Sequence, residues 1–206
     1  MRLLRRLPKI LKYIPGKAQD LRAWFLVMQY WLGGTDENIE EMLRFLISRY
    51  SHIDSWRGVK AEPPREYPNV GVYHPNLKGR LSEDLTDIPE VKKPIATIGL
   101  LLMRSYVLSG DTAHYDKVIE GFEALNVKII PAFAGGLDGR PAIEKYFIGA
   151  DGPLIDVLVS LTGFSLVGGP AYNDTNAAVK TLSNLNVPYI SAHPLEFQTL
   201  PQWEVS

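Results

Sequence analysis

Apolar and polar segments alternate between residues 95 and 194 in a rhythm of strand, loop, helix and strand. Continuous apolar runs predict buried strands, and the segments between them have helical spacing. Strands rich in Ile, Leu and Val throughout are typical of a parallel sheet covered by helices on both faces. The pattern therefore predicts an α/β fold, a parallel sheet with flanking helices of the Rossmann-like type. The predicted strands are 96–103, 127–131, 157–161 and 188–191, and the predicted helices are 112–125, 141–147 and 174–185.

The predicted strands also supply the expected core. Their apolar side chains should meet helices on either face of the sheet, because a parallel sheet is buried on both sides. The core is expected to depend on Ile98, Leu100, Val157, Val159 and Ile190.

The first fifty residues have a helical pattern instead. Apolar side chains recur every three or four residues over 3–14 and 18–32, and again from Thr35 onward. Pro15-Gly16 and Gly33-Gly34 separate the three segments, because proline and glycine both end helices. Residues 1–50 are therefore predicted to form a helical segment.

Residues 51–94 have a third character. Six prolines interrupt any long regular element, and few apolar residues cluster. This composition favours an extended, Pro-rich connector on the protein surface. The chain is thus divided into a helical segment (1–50), the connector (51–94) and the α/β domain (95–206). The prolines are Pro63, Pro64, Pro68, Pro75, Pro89 and Pro94.

Composition excludes several classes of function. The chain has 206 residues, a net charge of −1 and no cysteine. This charge gives no general attraction to nucleic acid, and without thiols there is no disulfide, thiolate metal site or thiol nucleophile. The longest apolar helix candidate, 23–32, is too short to span a bilayer, so no transmembrane segment is expected. The basic residues of the first helix are interpreted as a solvated face or a docking surface rather than a targeting sequence.

Candidate binding residues follow the predicted strands. The carboxyl ends of parallel strands meet at one edge of a sheet, where α/β proteins bind ligands. Arginine binds carboxylates bidentately, glycine-rich loops can surround an anion with backbone amides, and histidine can act as an acid, a base or a ligand. Catalytic residues stay unassigned and no resident metal is expected. The predicted ligand contacts are Arg104, Gly163, Phe164, Gly168 and His193.

Each of these features has a structural alternative. The glycine pairs can form tight turns, since neither fits a P-loop or a dinucleotide fingerprint, and the chain is not expected to bind ATP by itself. His193 can fix its own loop by donating to a backbone carbonyl. Asp111 and His114 have a spacing that could hold a metal, but a helix cap and a surface histidine are the favoured interpretation.

Aromatic residues crowd the second predicted helix. Trp24, Phe25, Tyr30 and Trp31 lie on two of its faces, so this helix must be buried by more than its sequence neighbours. Contact with a partner or with the rest of a larger protein is one explanation, and core packing alone is the other.

Three long segments of the chain resemble a known family. Residues 99–147, 155–174 and 187–199 resemble the large porphyrin-binding (H) subunit of magnesium chelatase, which shares a family with the large subunit of cobaltochelatase. Residues 14–46 are similar to the region that precedes these segments in the same subunit. The resemblance covers nearly the whole chain, and its motifs are long rather than a few scattered glycines.

The resemblance implies an enzyme of (bacterio)chlorophyll biosynthesis. The family's activity is a ligase reaction that inserts Mg²⁺ into protoporphyrin IX while AAA+ partner subunits hydrolyse ATP. The family's subunit is several times longer, so the chain is expected to be a piece of its amino-terminal half, inactive alone and without a cofactor of its own. Its expected partners are the remaining domains of the subunit, the ATPase subunits and protoporphyrin IX, in the cytoplasm or the plastid stroma. None of the family's metal-insertion residues can be assigned to a position here.

A second class of function stays open. The chain can be interpreted as a free-standing α/β module that binds a small anionic ligand without catalysis. Its glycine-rich loops and Arg104 support that interpretation. It requires the aromatic residues of the second helix to be covered within the chain or by a homodimer.

Overall fold

A computed structural model describes residues 2–56, 58–169, 172–193, 195 and 198–205. The chain forms two compact units, Met1–Tyr67 with Leu108–Gly110, and Pro68–Val107 with Asp111–Ser206.

The first unit is helical, as predicted. It contains α1 (Arg2–Leu11), α2 (Ala18–Gly33) and α3 (Asp36–Tyr50), followed by a 3₁₀ turn at Asp54–Trp56. Gly34 ends α2 because its left-handed backbone, with φ of 65°, suits glycine. Thr35 then begins α3, since its side chain accepts a hydrogen bond from Asn38 N at 3.2 Å.

The Pro-rich segment is fixed to these helices by polar contacts. Buried Asn38 donates to Arg65 O at 3.0 Å and accepts from Arg65 N at 2.9 Å. The Tyr30 hydroxyl donates to Glu62 O at 2.5 Å. Paired backbone groups of this kind order a segment that has no regular structure of its own.

The second unit contains a six-stranded sheet in the order β10-β7-β3-β4-β1-β2. Strands β3, β4, β7 and β10 are parallel, whereas β1 and β2 are antiparallel at one side. The predicted α/β fold, with a mostly parallel sheet and flanking helices, is confirmed. The sheet strands are β1 (Val70–Tyr73), β2 (Leu81–Ser82), β3 (Thr97–Met103), β4 (Lys128–Ala134), β7 (Val157–Ser160) and β10 (Tyr189–Ser191). The helices are α4 (Arg104–Ser109), α5 (Ala113–Ala124), α6 (Arg140–Tyr146), α7 (Thr175–Leu185) and α8 (Leu200–Glu204).

Two short hairpins and a second 3₁₀ turn complete the elements of this unit. Strands β5 (Ile148–Gly149) and β6 (Gly152–Pro153) form one hairpin, and β8 (Gly168–Gly169) and β9 (Tyr172–Asn173) form the other. The turn is at Leu85–Asp87.

Strand β1 corrects the prediction of a surface connector. Val72, Tyr73 and His74 are completely buried, and β1 pairs with β4 in the middle of the sheet. The Tyr73 hydroxyl donates to Asp116 of α5, and burial raises the pKa of Tyr73 to about 12. Strand β1 was not predicted, because a four-residue strand between prolines has little periodicity. The division of the chain into 1–50, 51–94 and 95–206 stays a prediction.

Helices cover both faces of the sheet and place the core on either side of it. Helix α5 packs through Tyr115 and Ile119 on the face that carries Leu100 and Leu102. Helices α6 and α7 pack on the other face, which carries Leu101. This alternation of neighbouring residues is what a strand buried on both faces requires.

Four of the five expected core residues lie where the pattern placed them. Ile98, Leu100 and Val159 are buried, and Val157 is partly buried against the same cluster. Ile190 is 53% exposed, so its assignment to the core was wrong. The reason is its position on β10, which is the last strand of the sheet and has only β7 as a neighbour.

Candidate functional site

The carboxyl edge of the parallel strands has the geometry of a ligand crevice. The chain leaves β3 for α5 on one face of the sheet, and leaves β4 and β7 for α6 and α7 on the other. Loops that diverge in this way open a crevice between them, which is the usual binding position in open α/β sheets. Among the described residues, this edge holds a small cavity and an open groove.

The first space is a small cavity between the ends of β3 and β4 and the loops 136–139 and 162–166. Its volume is about 20 Å³, which is room for one water molecule. A macrocycle does not fit inside it. The cavity is therefore a packing defect of the edge rather than the ligand site itself.

The second space is an open groove of about 340 Å³ between the loop after β7, helix α7 and strand β10. Gly163, Phe164 and His193, three of the predicted ligand contacts, all line it. Most of the other walls are apolar, since Leu166, Ala178 and Leu182 line the groove as well. The groove is thus lined mainly by apolar residues together with one histidine, which suits an apolar ligand that carries a polar group.

The loop after β7 holds Phe164 in the groove through a chain of hydroxyl contacts. Ser160 and Thr162 share a hydrogen bond of 3.0 Å between their hydroxyl oxygens. Phe164 N donates to the Thr162 hydroxyl at 3.4 Å, which turns the chain back toward the sheet. Phe164 is 37% exposed, so part of the residue is accessible to a ligand.

Gly168 has a structural task. Its amide donates to Leu137 O at 2.7 Å, so this amide is already used within the chain. Its φ is 106°, and a Cβ there would lie 2.0 Å from Tyr172 O. Glycine is needed for the close approach of β8 and β9. The turn alternative considered for this loop fits that geometry.

Arg104 is separated from the groove. It is the first residue of α4, and its Nε donates to Pro68 O at 2.8 Å. Arg104 lines neither the cavity nor the groove. The structure therefore brings three of the five predicted contacts together and uses Arg104 to hold the chain just before β1.

An ion pair that the sequence analysis missed borders the cavity. Arg140 donates from Nη2 to Asp138 Oδ2 at 2.6 Å and from Nε to Oδ1 at 2.9 Å. This hydrogen bonding holds the pKa of Asp138 below its usual range, against a smaller effect of burial. The signal in the sequence was an aspartate two residues before an arginine at the start of a helix, which is too common to stand out.

Phe133 and His114 lie outside the groove. Phe133, on β4, is fully buried in the core and is not available to a ligand. The ring of His114 packs against Tyr106 and Tyr115, with centroids 5.7 Å and 3.9 Å away. In the part of the chain that the structure describes, no three metal-ligating side chains come together. None of the helices described there is long and apolar enough to cross a membrane.

Comparison with known proteins identifies the family. The family described as CobN/magnesium chelatase matches residues 28–206. The chain belongs to the CobN/magnesium chelatase family. Residues 1–25 match a different family, described as a domain of unknown function (DUF3479).

Curated relatives from this family cover the whole chain. It is 62% identical over 203 residues to the magnesium-chelatase H subunit of Cereibacter sphaeroides and 60% identical over 206 residues to that of Rhodobacter capsulatus. It is also 39% identical to the chloroplastic magnesium-chelatase ChlH subunit of Oryza sativa. The alignments cover 98%, 100% and 98% of the chain, but the chain spans only 17%, 17% and 16% of these relatives.

A solved structure supports the fold. The catalytic subunit of cobaltochelatase from Mycobacterium tuberculosis aligns with a TM-score of 0.55 at 19% identity. The alignment covers 88% of this chain and 14% of the other. At this identity the likeness shows the fold alone.

Proposed function

We propose that the chain is part of the H subunit of a magnesium chelatase, the ligase that inserts Mg²⁺ into protoporphyrin IX in (bacterio)chlorophyll biosynthesis. The observation that carries this proposal is identity of 62% along the chain to a protein of that name. The cobaltochelatase subunit reaches only 19%, so the magnesium enzyme is favoured within the family.

The proposed reaction needs partners that this chain does not replace. ATP would be hydrolysed on AAA+ partner subunits, because the chain has no P-loop pattern. Mg²⁺ is a substrate in this scheme. The bacterial and chloroplastic relatives support the cytoplasm or the plastid stroma as its location.

The proposed contribution of this chain to ligand binding is one wall of the porphyrin site. The groove presents Phe164 and Gly163 beside His193. A macrocycle stacked on Phe164 would have one face covered, and its other face would need residues from elsewhere in the subunit. The chain alone is therefore expected to bind protoporphyrin weakly and to show neither chelatase nor ATPase activity.

Reconstitution tests the proposed reaction. The full-length subunit that contains this chain is mixed with its ATPase partners, Mg²⁺, ATP and protoporphyrin IX, and the fluorescence of the magnesium porphyrin is followed. Formation of that product with Mg²⁺, and none without ATP, is the expected result. Absence of the product under conditions in which a Rhodobacter capsulatus H subunit is active would refute the proposal.

Substitutions in the groove test the binding wall separately. Phe164→Ala should weaken protoporphyrin binding, measured by tryptophan quenching, by roughly tenfold, because a stacked ring is lost. His193→Ala should weaken the binding as well, because His193 lines the same groove. Leu125→Ala is the matched control, since Leu125 is an exposed apolar residue at the opposite end of the strands. Equal affinity in all three variants would leave this wall out of the site.

The anion-binding module has less support. The features that favoured it were Arg104 and the glycine-rich loops. Arg104 Nε and the Gly168 amide already donate hydrogen bonds within the chain. The open groove that the structure does show is mainly apolar, which suits a macrocycle better than a small anion.

A further inference from the structure

The exposed side of helix α2 is apolar along its length. Leu21, Trp24 and Trp31 are 50%, 53% and 62% exposed, and half-buried Met28 lies between them. Their spacing of three, four and three residues places them on one face of the helix. We call these four residues the α2 stripe.

The α2 stripe contains no charge. Arg22 is the only charged residue between Asp20 and Gly34, and its Nε is turned away to donate to Pro8 O at 3.2 Å.

The stripe is not part of the core of its own unit. Ala23, Tyr30 and Gly33, on the opposite side of α2, are the buried residues of this helix. Contiguous apolar surface on a protein marks a place where another surface binds, and tryptophan is enriched at such places. Two half-exposed tryptophans on one uncharged helix face are therefore a docking surface.

The family matches indicate what covers this surface. The DUF3479 match ends at residue 25, inside α2, and the chelatase match begins at residue 28 of the same helix. Twenty-five residues without cysteine cannot form a hydrophobic core of their own. A domain represented here only by α1 and the start of α2 must therefore complete its core with residues from elsewhere.

We propose that the α2 stripe is the docking surface for the remaining part of this DUF3479 domain within the same longer polypeptide. The inference rests on the proposed function, because it takes the chain to be part of a full-length subunit. The chain spans 17% of its relative from Cereibacter sphaeroides, so ample polypeptide exists there to supply the partner surface. That surface should be apolar at its centre. It should carry carboxylates where it meets Lys12 and Lys17, which are exposed at the turn between α1 and α2.

Oxidative footprinting of the full-length polypeptide is the first test. Hydroxyl radicals oxidise exposed indoles, and mass spectrometry measures the rate at each tryptophan in the native protein and in urea. Trp24 and Trp31 should be protected by about tenfold in the native protein, because the centre of an interface is packed like a protein interior. Protection of less than about half that size would overturn the proposal, since the stripe would then be open to solvent. The readout needs no chelatase activity, so it fails or succeeds independently of the proposed reaction.

Photocrosslinking identifies the occupant. p-Benzoylphenylalanine replaces Trp31 in the full-length polypeptide, and the same residue replaces Glu37, exposed on α3, as the control. A mixture of light and heavy isotope copies separates crosslinks within one chain from those between two. Crosslinks from position 31 to the part of the DUF3479 domain outside residues 1–25, in the same chain and in excess over position 37, support the proposal. Crosslinks between copies, to lipid, to other domains, or equal yields at both positions overturn it.

Discussion

Replacement of Leu100 by alanine tests the layered core directly. Leu100 is fully buried on β3, with β4 and β7 paired on either side of it and α5 packed on its face. The substitution removes three carbons, and each buried carbon contributes about 0.8 kcal/mol. The surrounding strands cannot collapse into the space, because the backbone pairing on both sides holds them apart. The cavity therefore adds about 24 cal/mol for each Å³ left empty.

The expected loss in the free energy of unfolding is about 3–4 kcal/mol, within the range measured for such substitutions. Urea titration of wild type and variant, followed by circular dichroism, measures this loss as a shift in midpoint at constant slope. Ile190→Ala is the matched control, because Ile190 is an apolar residue on the same sheet that is 53% exposed. It should cost less than about 1 kcal/mol. Equal losses in the two variants, or a loss below about 1 kcal/mol for Leu100→Ala, would refute this account of the core.

Three further substitutions, the first with a control of its own, test the structure around the site. Gly168→Ala should lower the free energy of unfolding by about 2–3 kcal/mol, since the added methyl group meets a carbonyl of β9. Gly136→Ala, with φ of 81° but open space, should cost about 1 kcal/mol, and the reverse order in thermal melts would contradict the steric argument. The depressed pKa of Asp138 stabilises the fold above its unfolded value of about 3.9, and this stabilisation disappears as pH falls through the folded pKa. Asp138→Asn should therefore flatten the acid limb of the stability profile by at most about 1 kcal/mol, because the pair is partly exposed. Arg104→Ala should cost about 1–2 kcal/mol by leaving Pro68 O unpaired, and an unchanged melting temperature would contradict that assignment.

The parallel strands were predictable because each is an unbroken apolar run. Strand β3 differs from its predicted range by one residue at its start, and β7 and β10 were located equally well. Strand β1 was not predictable, since its four residues lie between prolines and gain their burial from β4, whose first residue lies 55 positions after the last residue of β1. Tertiary pairing of this kind overrides local composition.

The candidate site was partly predictable for the same reason. The ends of β7 and β10 are adjacent in any parallel sheet with this order, so Gly163, Phe164 and His193 could be grouped from sequence. The position of Arg104 away from the groove could not be predicted, because it depends on the hydrogen bond between Arg104 and Pro68 O. The prediction that Ile190 is a core residue was wrong for a related reason. An apolar residue in a strand shows no sign in the sequence of whether that strand is central or at an edge.

The pairing of β1 with β4 also has a consequence for folding during synthesis, because β1 is made well before β4. Val70 pairs with Ala134, which is made 64 residues later. At a synthesis rate of about 5–20 residues per second, β1 is made some 3–13 seconds before its partner. During that interval the side of β1 that faces β4 is unpaired, and Pro68 and Pro75 on its two flanks limit the length over which it can pair with another nascent chain. The two prolines that make β1 hard to predict from the sequence should thus also lower its tendency to aggregate during synthesis.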